Sequence, residues 1–128
     1  MPGRAHADRN EKLCDLLLEK GGFDDWVVTA AFYAAIHLVD HQIFPLTVGV
    51  EPIFANFNQY CNRKITGMAP HKVRRHLVTV HLSACADAFD WLYDACQNSR
   101  YNNYQVPTGF AAQAKKKLTE IKKVCTKA

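Results

Sequence analysis

Residues 26–44 constrain the fold of this chain more than any other segment. Asp24 or Asp25 can cap the start of a helix there, and Pro45, which lacks a backbone N–H, ends it. The apolar side chains of this segment cover far more than one stripe of a helix, so neighbouring elements must cover most of its circumference. We therefore predict that it forms the central, most buried helix.

Three other segments show helical periodicity, and no segment shows the alternation of a strand. A first helix runs from a cap at Asp8 to about Lys20, a third spans residues 71 to about 98, and a last helix follows a cap at Thr108. The first helix has a short apolar face of Leu13, Leu16 and Leu17. The predicted apolar face of the third helix consists of Val73, Leu77, Val80, Ala84, Ala88 and Trp91. That of the last helix consists of Ala111, Ala114, Leu118, Ile121 and Cys125.

The remaining segments connect these helices. Residues 45–70 form a long irregular connection, because prolines and glycines interrupt any period, although residues 53–60 can form a short helical piece. The basic last helix covers about residues 108–127. A chain of 128 residues has room for one hydrophobic core, so we predict a single domain over residues 1–128. The predicted fold is an all-α, up-and-down bundle of four or five helices.

Composition indicates the cellular compartment in which the protein is expected. No run of eighteen apolar residues is present, and the first residues lack the apolar stretch of a secretory leader. The five cysteines are odd in number and form no C-x-x-C unit, which fits reduced thiols better than a disulfide framework. We expect a cytoplasmic protein with no membrane partner and no cofactor.

The positive charge of the chain lies in its last helix. Residues 115–127 carry six lysines and one glutamate, whereas the rest of the chain carries ten basic and eleven acidic residues. Lys115, Lys116 and Lys117 are candidate contacts for the phosphates of a nucleic acid. The alternative, which the pattern favours, is that these lysines form an ordinary solvated helix face.

A polar stripe runs along the otherwise apolar second helix. At 100° per residue it contains Thr29, Tyr33, His37, Asp40 and His41. These side chains can bind a polar group, or they can simply face solvent. His37 and His41 have a spacing that can hold a metal, but the chain has neither the H-E-x-x-H motif nor any E-x-x-H unit, so we predict no metal site.

Arg74 and His81 are anomalous in the third helix, because both fall in its apolar sector. A buried cation and an imidazole need partners. Either a crevice or an interface meets them, or Arg74 reaches solvent from the start of the helix.

Arg100, Tyr101 and Tyr104 follow the third helix directly. One guanidinium and two phenols suit a phosphate with a stacked base, and they equally suit a tyrosine-rich hinge packed on the bundle. Catalytic signatures such as G-x-S-x-G, the Walker loop and G-x-G-x-x-G are absent from the sequence.

Three groups of residues, taken in order, resemble small bacterial proteins of the higher eukaryotes and prokaryotes nucleotide-binding (HEPN) superfamily. They are Asp25-Trp26 with Phe32-Tyr33 and His37-Leu38-Val39-Asp40, then Pro70-His71 with Arg74-Arg75 and Leu77-Val78, then Leu92-Tyr93 with Ser99-Arg100-Tyr101 and Tyr104. The resemblance covers about 80 residues, from 25 to 104. It implies a helical bundle that is often a homodimer. Many members are metal-independent endoribonucleases that act as toxins, phage-defence factors or RNA-processing enzymes.

The resemblance also implies roles for residues of this chain. The nuclease members carry an arginine that is followed, after four to six residues, by a histidine. In this chain five residues separate Arg75 from His81, and six separate Arg74 from His81. His81, or else His37, would then be the acid/base, and Arg74 or Arg75 would hold the scissile phosphate. Further candidates for nucleotide or nucleic-acid binding are Tyr33, Asp40, His71, Arg100, Tyr101, Tyr104, Lys115, Lys116 and Lys117.

The family motif usually lies in a later helix, near the position of Arg100, and no histidine follows Arg100 in this chain. The sequence therefore favours a non-catalytic HEPN-like dimer that binds a nucleotide, a nucleic acid or a protein partner such as an antitoxin. A metal-independent endoribonuclease with an Arg/His pair is the alternative.

Overall fold

The computed structural model of this protein describes residues 3–51, 53–64, 67–99 and 106–127. Within these ranges it contains no β-strand, only one isolated bridge between Leu46 and Phe54, so the prediction of an all-α bundle is confirmed. Six α-helices are described, with one 3-10 turn at Ser83–Cys85 between the fourth and the fifth. They are α1 (Gly3–Lys20), α2 (Asp24–Ile43), α3 (Phe57–Lys64), α4 (Pro70–His81), α5 (Ala86–Gln97) and α6 (Phe110–Val124).

The central position of α2 is confirmed. More than half of its residues are buried, and it packs against α1, α4, α5 and α6. Pro45 restricts Phe44 to an extended backbone, which ends the helix at Ile43 as expected. Alanines on α2 let its neighbours approach closely, and they are Ala30, Ala31, Ala34 and Ala35.

The first helix starts earlier than predicted, at Gly3 rather than after a cap at Asp8. Small residues determine which side of α1 faces α2: Ala7 and Cys14 are buried, and a Cβ atom on Gly3 would lie only 3.2 Å from the Cβ atom of His41. The prediction that Leu13 and Leu16 share the apolar packing face is wrong. Both are exposed, because the close contact with α2 uses the side of the helix that bears the small residues. The turn after α1 uses positive φ at Gly21 and Gly22.

The predicted third helix is in fact two helices, α4 and α5. Leu82 has φ −134° and ψ 47°, which is outside the helical region, and the Ser83–Cys85 turn then redirects the chain. Val80 and Ala84, predicted to face the core, are therefore exposed, whereas Val73, Leu77 and Ala88 are buried as predicted. Burial of Leu82 and Cys85 outweighs helix continuity here, and no glycine or proline marks the break.

Two shorter predictions have mixed outcomes. The helical piece in residues 45–70 exists but begins at Phe57, where Asn56 accepts a hydrogen bond from the Gln59 N–H and Gln59 accepts one from the Ala55 N–H. All five residues predicted to face the core from the last helix are buried. Its N-cap is Gly109 at φ 90° rather than Thr108. No helix in the described part of the chain has the length and apolar character needed to cross a bilayer.

Candidate functional site

A pocket of about 390 Å³ lies at the end of the bundle where α1 begins and α2 ends. We call it the Asp40 pocket. The segment before α3 and the first turns of α3 and α4 complete its walls. Its polar lining side chains are His37, Asp40, His41, Asn56, Asn58 and Arg74, and its aromatic ones include Phe44 and Phe57.

Arg74 is held in this pocket by two parallel hydrogen bonds. Its Nε and Nη2 atoms donate to the two carboxylate oxygens of Asp40, each at 2.9 Å. The guanidinium carbon also lies 3.8 Å from the centre of the Phe57 ring. The two charged side chains are only 17% and 26% exposed. The pair is therefore a bidentate, partly desolvated contact between α2 and α4, and its charges cancel.

His37 lies one turn before His41 on the same wall and stacks on His6 of α1. The two imidazole rings are 5.0 Å apart with an interplanar angle of 24°. Burial lowers the pKa of His37, the neighbouring His6 and Arg74 lower it further, and Asp40 opposes them. His37 is therefore neutral at pH 7, and its ring has one N–H donor and one nitrogen acceptor.

The catalytic candidate His81 and the binding candidate Tyr33 lie outside the pocket. His81 is exposed at the end of α4 and does not line the pocket, because it lies two helical turns, about 10.5 Å along the axis, beyond Arg74. Tyr33 is 40% exposed and packs on Phe32, outside the lining. The structure thus brings Arg74 together with His37 and Asp40, and not with His81 or Tyr33.

Arg75 and His71 belong to a second cluster, on α4 and α5. The Nε atom of Arg75 donates to Asp90 at 2.9 Å, and its guanidinium lies 4.8 Å from the centre of the Tyr93 ring. His71 stacks on the same ring at 5.1 Å. These contacts fix the two helices against each other, so Arg75 and His71 face a different part of the molecule from the pocket.

The lysines of α6 largely bind carboxylates of the bundle itself. Lys115 donates to Glu11 at 2.6 Å and pairs with Asp15 at 2.8 Å, and Lys122 donates to Glu11 at 2.8 Å. Lys117 pairs with Glu120 at 3.6 Å, while Lys116 is exposed. Burial opposes the charge of Glu11, but its hydrogen bonds to the two lysines prevail and lower its pKa. Two of the five lysines of α6, Lys115 and Lys122, therefore attach α1.

Three predicted site residues lie outside the part of the chain that the structure describes, and four residues at the pocket were not predicted. Arg100, Tyr101 and Tyr104 lie outside the described residues. His6, Phe57 and the two asparagines were not predicted as site residues. His6 precedes the predicted first helix, and the asparagines lie in the connection that is predicted to be irregular apart from a short helical piece over residues 53–60. The spacing of Asn56 and Gln59, typical of a helix start, is the signal that places the start of that piece.

The pocket does not have the geometry of a metal site. In the ranges that the structure describes, no three histidine, cysteine, aspartate or glutamate side chains are placed to hold a metal ion. His37 and His41 instead form part of the polar wall of the pocket. The carboxylate of Asp40 between them accepts both hydrogen bonds from Arg74.

The lowered pKa of His37 predicts a pH effect on stability. The unfolded chain, in which the pKa of His37 is near the ordinary histidine value of 6.5, takes up this proton at a higher pH than the folded chain does. The stability that neutral His37 contributes is complete above pH 6.5 and is lost as pH falls through the lower folded pKa. We expect Tm to fall between pH 7.5 and pH 5.5, and we expect H37Q to reduce that fall.

H81Q is the matched control, since His81 is exposed and lies away from the pocket. It should keep the wild-type dependence of Tm on pH in the same calorimetric series. Equal pH dependences for H37Q and the wild type would contradict the assignment.

The chemistry of the Asp40 pocket follows from these contacts. It offers imidazole and phenyl rings, two amide side chains, a neutral histidine and one guanidinium already neutralised by a carboxylate. Such a set can hold a planar polar group by stacking and by hydrogen bonds. No protein-family model, curated protein or solved structure matches this chain, so the function is inferred from the site itself.

Proposed function

We propose that this protein is a HEPN-like, non-catalytic binding module, active as a dimer, that holds the base of a nucleotide or of single-stranded RNA in the Asp40 pocket. The observation that carries the proposal is the bidentate contact between Arg74 and Asp40. It removes the guanidinium from the set of groups available to clamp a phosphate.

The charge balance of the pocket favours a base over a phosphate. Arg74 is the only lysine or arginine among the described lining residues. A phosphate would have to displace Asp40 from it and would leave that carboxylate desolvated and unpaired, which is costly. His37 adds no positive charge at pH 7, because its pKa is lowered. A neutral ligand avoids both penalties.

The shape and lining of the pocket also suit a base. Its volume of about 390 Å³ lies within the usual range for small-ligand sites. The edge of a base carries donors and acceptors that match the amides of Asn56 and Asn58 and the ring of His37. Stacking on aromatic rings and on a guanidinium plane is a common way to hold an unpaired base.

Exposed apolar side chains support the dimer. Leu16, Phe23 and Trp26 lie near the turn between α1 and α2, at exposures of 65%, 41% and 52%. Apolar groups clustered on a surface favour association with another protein surface. This end of the bundle is opposite the Asp40 pocket, so a symmetric contact there leaves both pockets open.

Titration calorimetry with adenosine and with AMP tests the proposal. We expect the nucleoside and the nucleotide to bind with similar affinity, because the base supplies the contacts. N58A should weaken binding by about three- to tenfold through loss of a hydrogen bond. N62A is the matched control, since Asn62 is exposed on α3 and lies outside the pocket.

Two outcomes would contradict the proposal. One is binding of AMP with no binding of adenosine, which would identify the phosphate as the recognised group. The other is equal loss of affinity in N58A and N62A. Light scattering of the same samples tests the dimer, and a particle of only 14.5 kDa at micromolar concentration would rule it out.

A ribonuclease is the second candidate, because His37 and Arg74 line the same pocket and make an Arg/His pair. In this case RNA should be cleaved in EDTA, and both H37A and R74A should abolish cleavage. H81A should retain it, since His81 lies away from the pocket. If RNA stays intact in the presence of the wild-type protein, the ribonuclease is excluded and the binding module is the remaining candidate.

A further inference from the structure

A second pocket, of about 350 Å³, lies between α3 and the first turns of α4. Its lining residues are Tyr60 of α3, Met68 before α4, and Lys72, Val73 and His76 of α4. We call it the Lys72 pocket. It shares no described lining residue with the Asp40 pocket, although α3 and α4 contribute to both. A ligand bound here would therefore occupy a separate site.

The inner wall of the Lys72 pocket is apolar and well supported. Val73 is 2% exposed and belongs to the hydrophobic core. The centre of the Tyr60 ring lies 6.4 Å from that of Phe44 and 5.2 Å from that of Phe54, and both phenylalanines are buried. Met68, which is 51% exposed, adds an unbranched side chain that can follow the shape of a ligand. Transfer of an apolar group from water to this wall is favourable.

The rim of the pocket carries positive charge. Lys72 and His76 are exposed and lie one turn apart on α4. Residues 52–86 contain five lysines and arginines and no aspartate or glutamate. Arg74 and Arg75 pair with carboxylates of α2 and α5. Lys72, in contrast, forms no ion pair with any residue that the structure describes, so its ammonium is available to an anion.

The size of the pocket favours a small molecule over a protein partner. A volume of about 350 Å³ lies near the lower end of the usual range for small-ligand sites. A stable protein interface buries roughly 800 Å² on each partner, which is far more than this pocket offers. The ligand that complements the walls and the rim has an apolar body and one anionic group at its end.

We propose that the Lys72 pocket binds a carboxylate with a hydrocarbon chain, such as a medium-chain fatty acid. The chain lies along Val73, the Tyr60 ring and Met68, and the carboxylate stays at the mouth. There the Lys72 ammonium pairs with it, and the His76 ring can donate a second hydrogen bond. The aliphatic stem of Lys72 covers apolar surface while its charge stays at the edge of the water. This site does not depend on the function proposed for the Asp40 pocket.

Titration calorimetry of the full-length protein with octanoate, 1-octanol and octyltrimethylammonium tests the proposal. The three probes share one hydrocarbon chain and differ in the charge of the head group. We expect one octanoate per protein chain, weaker binding of octanol and the weakest binding of the cation. Hexanoate should bind less tightly than octanoate, by about threefold for each methylene removed, because the chain supplies most of the contact.

Two variants, each with a matched control, locate the site. K72Q should weaken octanoate binding by about two- to fivefold and leave octanol binding unchanged, since only the charge pair is lost. K116Q is its control, because Lys116 is exposed on α6 and lies outside the pocket. M68A should weaken the binding of octanoate and octanol alike. V50A is the control for M68A, because Val50 is exposed and does not line the pocket.

All four replaced side chains are exposed, so each variant should keep the wild-type fold, which circular dichroism checks. The proposal is overturned if octanoate does not bind, or if it binds no better than the cation. Equal affinities of K72Q and K116Q for octanoate would overturn it as well. N58A, which alters the Asp40 pocket, should keep the wild-type affinity for octanoate. A loss of affinity in N58A but not in K72Q would assign the fatty acid to the other pocket and refute the proposal.

Discussion

Truncation of Leu77 to alanine is expected to lower the free energy of unfolding by about 3 kcal/mol. Leu77 is 2% exposed on the inner side of α4, and its loss leaves a cavity as well as removing apolar contacts. Val80 is the control, because it lies on the same helix and is 58% exposed. V80A should cost less than about 0.5 kcal/mol in the same urea titrations.

The comparison of these two variants tests the break at Leu82. In a continuous helix over residues 71–98, Val80 would lie on the apolar face with Leu77 and would be as costly to truncate. Equal losses of stability in L77A and V80A would therefore contradict the separation of α4 from α5.

Replacement of Asp40 by alanine is the second large expected effect, a loss of about 2 kcal/mol or more. It leaves the Arg74 guanidinium partly desolvated against Phe57 without its carboxylate partner. D90A is the matched control. It removes the same type of partner from Arg75, but that pair is 34% and 37% exposed, so its loss should cost less than about 1 kcal/mol.

A double variant separates the charge effect from general damage to the pocket. D40L/R74M replaces the pair by apolar side chains and should recover much of the stability lost in D40A, since no buried charge is then left alone. Urea titrations of the wild type, D40A, D90A and D40L/R74M give the free energies of unfolding to be compared. A loss in D90A as large as that in D40A would show that burial does not distinguish the two pairs.

The sequence predicts best those helices in which the apolar, core-facing side chains recur with the period of a helix. The largely apolar residues 26–44 predict a buried helix, and α6 with its C-cap residue Cys125 carries five correctly placed core residues. Both follow from local pattern. The start of α1 and the break at Leu82 do not, because they depend on close packing of small residues and on burial of Leu82 and Cys85.

The site shows the same division between local and long-range information. The sequence marks Asp40 as polar on an apolar helix and Arg74 as charged in an apolar sector, two separate anomalies. In the fold each is the partner of the other. Periodicity relates only residues of one helix, so it could not show that these two side chains form an ion pair. For the same reason the sequence could not show that Asn56 and Asn58 come to face His37.

The attachment of α1 to α6 makes part of the molecule sensitive to ionic strength. The Glu11 carboxylate accepts hydrogen bonds from both Lys115 and Lys122. These three side chains are 17–34% exposed, so dissolved ions can screen their charges. The buried apolar contacts of α2, α5 and α6 are not weakened in this way. His6 is carried by α1, and it stacks on His37 at the wall of the Asp40 pocket. We therefore expect the concentration of salt around the protein to act on the attachment of α1, the helix that carries one ring of that wall, through its contact with α6.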